Sequence, residues 1–502
     1  MSVPGKPEEV VSGPIPPATP RIFFRVFPSI MLPMFLAMSD QTIVASALPT
    51  IAGALGDVER VSWIVVAYLL AATISAPLYG YLGDSFGRRR LMFIALAIFT
   101  VGAILNSFAT SMMMIAATRF IQGLGGGGLM SMSQALIGEV VPPRQRGQYQ
   151  GYLAAIGVSA AALGPVAGGY LAAHFGWRAV FLMNVPTAII AGLLMLRLAS
   201  RPGTRKEDWN FDTPGLFLFV CFVVPALLAL EQARRLDMSM MPVAGALLVF
   251  SIVSLVLLVR RERVAPAPLL PIKLMRQRAI WTSQAMAACH GAALVALIAF
   301  TPLYMRMIGI GDPAQVSWAL LTISGCIGVS AVISGRIITS TGYTMILPSV
   351  GSTCTTIMLL YLATQAGRQT FDQFLVWAGI TSVFMGTVMG VVQVTIQTAA
   401  GRRMLGVASG SIQFARSVGA SFGAALFGAV LFATAAASDP AAGALFVEIL
   451  QQGPAALEGL DPARNAALNA VIARGFSNAF LLLAGFTGIG ALLAWINPQR
   501  RV

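Results

Sequence analysis

Charge is what this sequence has least of. Of 502 residues only 10% are Asp, Glu, Lys or Arg, whereas a water-exposed surface needs roughly a quarter of its positions charged. That excludes a soluble globular protein. The two histidines, His174 and His290, are too few for a metal cluster. The four cysteines, Cys221, Cys289, Cys326 and Cys354, fall in separate apolar runs without a CxxC pair and read as lone buried thiols. Neither GxxxxGK[ST] nor HExxH is present, so neither ATP-driven transport nor zinc chemistry has support, and no cofactor or metal is expected. Acidic residues are outnumbered 19 to 33 by basic ones, for a net charge of +14. The basic residues stand in short clusters between apolar runs, with no aromatic interleaving and no groove-binding module. Nucleic acid is therefore not the expected partner.

What the chain does have is apolar length: 57% of its residues are hydrophobic and its mean hydropathy is +0.79. After a proline-rich polar tail, which reads as disordered and not as a signal peptide, fourteen runs can each cross a bilayer as a helix. They are 28–50, 61–83, 91–109, 112–138, 148–173, 177–199, 213–233, 241–259, 279–305, 316–337, 344–364, 374–398, 405–433 and 477–497. An even number puts both termini on one side. Arg88, Arg89, Arg90, Arg144, Arg146 and the arginines of 260–278 all fall on that side, whereas Arg60, Arg178, Arg306 and Arg368 fall on the other. Cytoplasmic loops are enriched in Lys and Arg, so both termini are expected in the cytoplasm. The 260–278 loop is a candidate anchor at an anionic leaflet. The outer loop 434–476 reads either as an amphipathic hairpin or as a plain solvated loop.

The two ends of the chain carry parallel features, as a six-helix unit used twice would leave. The loop after the second span reads GYLGDSFGRRR at 80–90, and Ser334-Gly335-Arg336 through Gly342 is a degenerate echo of it without the aspartate. The 80–90 segment resembles the loop signature of the major facilitator superfamily. SDQTIVASALP at 39–49, RFIQGLGGG at 119–127, the spacing Gly157, Gly164-Pro165, Gly168-Gly169 and WRAVFLMNVP at 177–186 resemble motifs of its fourteen-helix drug:proton antiporter branch. The resemblance implies an all-α polytopic membrane protein with the major facilitator fold and fourteen transmembrane helices arranged 6+2+6. The expected divisions are a tail at 1–27, a six-helix bundle at 28–199, two linker helices and a basic loop at 200–278, a second bundle at 279–497 and a tail at 498–502.

Asp40 is the one carboxylate well inside a span, and placing it there costs about 2.5–3.5 kcal/mol on translocon-type scales. Either it only bonds neighbouring helices or it carries a proton, and the resemblance favours the proton carrier. Arg119 cannot shed its charge, so it must pair, snorkel or face water. The resemblance gives it a part in proton coupling beside Asp40. Gly80, Gly83, Asp84, Gly87, Arg88, Arg89 and Arg90 form a tight turn in which Asp84 can cap a helix or pair with an arginine across the two halves. Gly157, Gly164, Pro165, Gly168 and Gly169 make a flat helix face, expected to seal against leakage. Gln122, His290, Gln393, Gln397, Gln413 and Arg416 are candidates for a substrate cavity.

The expectation is a non-enzymatic, monomeric exporter in the inner or plasma membrane, exchanging protons for lipophilic, cationic or neutral compounds. The alternatives are a dedicated exporter of a native metabolite or lipid-like molecule, and a transport-inactive sensor on the same scaffold. Since 316–337 holds no acid, no second deep carboxylate is available for a dication.

Overall fold

In an apolar medium every backbone N–H and C=O must find its partner within its own segment, which leaves helices as the solution for single apolar runs. The computed structural model describes residues 26–56, 60–199, 211–235, 240–438 and 462–501. The first part of the chain forms α1 (Phe27–Leu55), α2 (Ser62–Phe86), α3 (Arg88–Ser107), α4 (Met112–Val140) and α5 (Arg146–Phe175). The sixth expected run is interrupted at Met183 into α6 (Trp177–Leu182) and α7 (Asn184–Met195). Next come α8 (Thr213–Arg235), α9 (Met241–Val264) and the short α10 (Ile272–Met275). The remainder forms α11 (Arg278–Met307), α12 (Pro313–Thr341), α13 (Ile346–Gln365), α14 (Phe371–Gly386), α15 (Met389–Ala400), α16 (Leu405–Ser438) and α17 (Pro462–Ile496).

Among the described residues, 13 helical segments are long and apolar enough to cross a membrane. Helix α4 is not one of them, because Arg119, Gln122 and the run Gly125–Gly128 dilute its hydropathy; it is instead buried by its neighbours. The expected outer loop 434–476 is narrower than its composition suggests: α16 runs to Ser438 and α17 begins at Pro462, so residues 434–438 and 462–476 are helical. Arg474 reads as a loop charge, yet a helix that projects past the apolar layer carries such a charge at no cost to the membrane. The rest of that loop, the tail before residue 26, and Arg201, Arg205 and Lys206 lie outside the described residues.

Apolar cores form separately within the two ends of the chain. One gathers Phe27, Met34, Phe99 and Leu136, and another gathers Leu297, Tyr304, Phe427 and Phe476. The two ends meet along two helix crossings. At the first, Gly80 of α2 faces Gly406 of α16 so closely that a Cβ on either would collide with the other's carbonyl oxygen. At the second, Gly335 of α12 lies as close to the carbonyl of Gly147 on α5. Small residues let helix backbones approach where lipid supplies no hydrophobic drive for association. Arg144 braces the second crossing by donating to the carbonyls of Thr339 (3.3 Å) and Ser340 (3.1 Å) at the C-terminal end of α12, where a cation complements the helix dipole. Both crossings lie toward the arginine-rich ends of the helices. The α8–α9 pair flanks the first: Phe219 and Phe222 of α8 pack on Phe414 of α16, and Ser251 of α9 donates to the Phe222 carbonyl at 2.8 Å.

Replacing Gly335 by Val puts a branched side chain against the Gly147 backbone, and overpacking of this kind costs about 1–3 kcal/mol. Thermal unfolding in micelles is expected to shift downward for Gly335→Val and not for Gly325→Ala on the same helix, where a Cβ meets nothing within 4 Å.

Candidate functional site

The cost of burying a carboxylate in a helix bundle is met at Asp40 by three donors. Asp40 lies on α1 with no solvent exposure. Its Oδ2 accepts from Nη1 of Arg119 on α4 at 2.5 Å. Its Oδ1 accepts from Nε2 of Gln122 at 2.9 Å and from Nδ2 of Asn184, at the start of α7, at 2.7 Å. Arg119 and Gln122 are three residues apart and so share a helix face, and the Arg119 Nη1 also donates to Gln122 Oε1 at 2.9 Å. The guanidinium is held from a third side by α2: its Nε donates to the Ile64 carbonyl at 3.3 Å, and its carbon sits 4.3 Å from the centre of the Tyr68 ring. Behind this layer, Asn106 donates to Gln122 Oε1 at 2.8 Å and accepts from the Thr118 hydroxyl at 2.7 Å. Arg119 therefore pairs inside the bundle and does not snorkel to the surface.

A second charge cluster closes the arginine-rich end. Gly87 takes a φ of +98°, a conformation open to glycine at little cost, and this reversal brings Arg88 back onto Asp84. Arg88 donates to Asp84 Oδ1 from Nη2 at 2.6 Å and to Glu139 of α4 from Nη1 at 2.5 Å. Asp84 also accepts from the backbone N–H groups of Gly406 (2.9 Å) and Val407 (3.0 Å), so it caps the first turn of α16 in the opposite half of the chain. An anionic side chain at a helix N-terminus meets both the unsatisfied N–H groups and the positive end of the helix dipole. Arg88 in turn donates to the Arg402 carbonyl at 3.0 Å. The cluster thus crosses between halves twice.

Between the halves lies a cavity of about 260 Å³. Met34 and Met38 of α1, Met130 and Gln134 of α4, Gln150 and Val158 of α5, and Ile327 of α12 line it, together with Met389 and Gln393 of α15. His290 of α11 and Gln413 and Arg416 of α16 face it as well. The two glycine crossings lie on its arginine-rich side.

Several of the sequence expectations are relocated by this geometry. Gln122 belongs to the Asp40 network and not to the cavity wall. Gln397 lies beneath the cavity, where its Nε2 donates to the Gln134 carbonyl at 2.9 Å and to Ser409 Oγ at 3.1 Å, tying α15 to α4 and α16. His290, Gln393, Gln413 and Arg416 do line the cavity. Asp40 does not: its carboxylate oxygens are taken by Arg119, Gln122 and Asn184. Of the arginine run only Arg88 joins the closing cluster. Arg89 donates to the Leu196 carbonyl at 3.1 Å, and Arg90 is exposed. Gly83 makes room for Met132 of α4, within its own half. The α5 glycines expected to seal the protein pack inward too. Gly164 and Gly168 abut Thr42, Ile43 and Ser46 of α1, Gly157 abuts Met38, and Pro165 and Gly169 are exposed. The close approach between halves on α5 is made earlier in the helix than Gly157, by Gly147 against Gly335 and by Gly151 against the backbone of Ala331 and Val332.

Asn184, Tyr68, Asn106, Glu139 and Gly406 were not singled out by sequence. Asn184 stands inside the 177–186 segment, whose likeness to family sequences was its one signal. Tyr68 and Gly406 had none, since each acquires its place from a helix far away in the chain.

The Major Facilitator Superfamily model matches residues 30–424. The chain is 31% identical over 412 residues to the multidrug transporter protein MdtP of Bacillus subtilis (strain 168), covering 80% of this chain and 74% of that protein. It is 30% identical over 449 residues to the efflux pump FUS6 of Gibberella moniliformis, covering 86% and 78%. In fold it is similar to the solved structure of the proton:xylose symporter XylE, with a TM-score of 0.62, 14% identity and coverage of 95% and 96%.

Removing one partner of a buried ion pair leaves the other charge uncompensated, at about 3–5 kcal/mol. Asp40→Asn and Arg119→Gln are each expected to lower unfolding stability on that scale. The double variant should lose much less than the sum, which chemical denaturation in micelles, analysed as a double-mutant cycle, reads directly.

Proposed function

Since the chain belongs to the major facilitator superfamily, we propose that it is a proton-coupled exporter of lipophilic small molecules, acting as a monomer by alternating access. It is a multi-pass membrane transporter and not an enzyme. The proposal adds its energy source, its direction and its place in the inner or plasma membrane, with fourteen crossings in a 6+2+6 arrangement and both termini cytoplasmic. Relatives named as a multidrug transporter and an efflux pump support the direction, and the Lys and Arg bias of the loops supports the orientation.

The observation that carries the coupling is the buried pair of Asp40 and Arg119. When Asp40 takes up a proton, its carboxyl becomes neutral while Arg119 stays charged. The guanidinium then loses its counter-charge and keeps neutral partners alone, the Asp40 carboxyl, the Ile64 carbonyl, Gln122 and the Tyr68 ring, and the tie between α1 and α4 weakens. Both helices also supply cavity wall, through Met34 and Met38 on one and Met130 and Gln134 on the other. The proton and the substrate therefore act on the same two helices without competing for the same atoms. The Asp84 cap on α16 is the counterpart at the cytoplasmic end: it holds the outward-facing state, and alternation requires it to open. A proton falling through the membrane potential contributes about 2.3 kcal/mol per 100 mV.

Everted vesicles with an acidified lumen test the coupling whatever the substrate's charge, by screening lipophilic cations, neutral compounds and anions for substrate-dependent proton release. Wild type is expected to release protons with at least one class. Asp40→Asn should lose at least tenfold of that flux at equal expression (a factor worth about 1.4 kcal/mol). Export that persists undiminished with a protonophore would refute proton coupling. In the same preparation Asp84→Ala is expected to raise the alkylation rate of a cysteine placed at Gly390 beside Gln150, reporting that the cytoplasmic end has opened.

A further inference from the structure

The cavity wall carries a permanent positive charge with no acid opposite it. Arg416 stands eleven residues into α16, roughly 16 Å along the helix axis from its start, too deep for its side chain to reach the headgroups. Its Nη2 donates to Gln413 Oε1 at 3.0 Å on the same helix. The ion pairs among the described residues engage Arg88, Arg119 and Arg261 and leave Arg416 out. No aspartate or glutamate lines the cavity among the described residues. The nearest candidate in sequence logic, Asp40, has its oxygens held by Arg119, Gln122 and Asn184. In the second half, Asp312 and Asp372 stand at the starts of α12 and α14, away from the cavity.

From this we propose that the cavity recognises lipophilic anions, with the guanidinium of Arg416 receiving a carboxylate or sulfonate while the methionines receive the apolar body. This rests on the exporter reading above and supplies its substrate class, in place of the expected cationic or neutral compounds. A guanidinium presents a planar fork of donors that matches a carboxylate and cannot be neutralised. An entering cation would meet that charge with no carboxylate to offset it, whereas an entering anion removes the imbalance. Gln150 adds a second argument: it is buried, its Nε2 has no hydrogen-bond partner, and it lines the same cavity. Gln134 Oε1 is likewise unpaired, so the wall also accepts a hydroxyl from the ligand. Met34, Met38, Met130 and Met389 supply an adaptable apolar surface that suits a body without fixed shape.

Deoxycholate, a monocarboxylate with an apolar skeleton and hydroxyls, is the probe, with its uncharged methyl ester and ethidium as comparisons. Equilibrium binding to the purified protein in nanodiscs, without any gradient, keeps this test separate from proton coupling. Wild type is expected to bind deoxycholate more tightly than the ester or ethidium. Arg416→Gln should weaken deoxycholate binding by roughly tenfold or more, the scale of losing a charged hydrogen bond, and leave the ester unchanged. Arg416→Lys, which keeps the charge, should retain most of the binding and guards against a folding defect. Deoxycholate binding that is absent in wild type or equal in Arg416→Gln overturns the proposal, as does an ethidium affinity above that of deoxycholate. Anion binding that depends on Arg416 without substrate-driven proton flux would sustain this inference and defeat the coupled-exporter reading. Proton-driven export with no dependence of binding on Arg416 would do the reverse.

Discussion

A charge carried into an apolar bundle has to be matched there, and the network round Asp40 matches two at once. Arg119 supplies the counter-charge, while Gln122 and Asn184 occupy the remaining carboxylate oxygen. Four helices, α1, α2, α4 and α7, contribute to one site, and withdrawing either Asp40 or Arg119 would strand the other's charge. Low dielectric makes each of these bonds stronger than in water and each vacancy costlier. The same medium makes the contrast with Arg416 informative. One guanidinium is enclosed by partners from its own chain, and the other faces a cavity with one glutamine beside it.

The second requirement is distance. Helices in lipid gain little from apolar contact with one another, so the halves are joined where backbones can nearly touch, at Gly80 with Gly406 and at Gly147 with Gly335. Placing both crossings on the arginine-rich side of the cavity leaves the methionine-lined walls above them free to part. The Asp84 cluster adds a polar fastening at the same level. Two apolar cores stay within their own halves, whereas a further cluster joins Val66, Leu70 and Ile74 of α2 to α8 and reaches Phe414 of α16, so relative motion of the halves repacks that contact and spares the other two.

Much of this was legible in the sequence, for physical reasons. Long uncharged runs fix helices in lipid, and a lone intramembrane carboxylate or arginine stands out because it is expensive. Asp40, Arg119, His290 and Arg416 could therefore be picked individually. Their pairing could not: nothing in spacing says that residue 119 meets residue 40 whereas residue 416 meets no acid. Gln122 and Gln397 show the same limit, since a glutamine one turn from a cavity residue looks identical in sequence to one that ties two helices together. The glycines of α5 were visible as a motif, but whether a flat face seals between halves or packs within one depends on which helix arrives. The helical start of α17 at Pro462 was hidden for another reason. A charge such as Arg474 marks the edge of the apolar layer, and a helix need not stop where the membrane does.

The cap on α16 has a consequence for how such a fastening tolerates change. Asp84 grips backbone N–H groups, not side chains, so its acceptor half has one irreplaceable residue while its donor half is written in the main chain. At position 407 any amino acid except proline supplies the same donor, and only the tight approach at Gly406 restricts its neighbour. One side of the joint is thus exposed to loss by a single substitution, and the other is nearly immune to it. A lineage could rewrite much of the start of α16 and keep the joint intact, leaving the glycine at 406 as the mark in the letters of the second half that anything there is held.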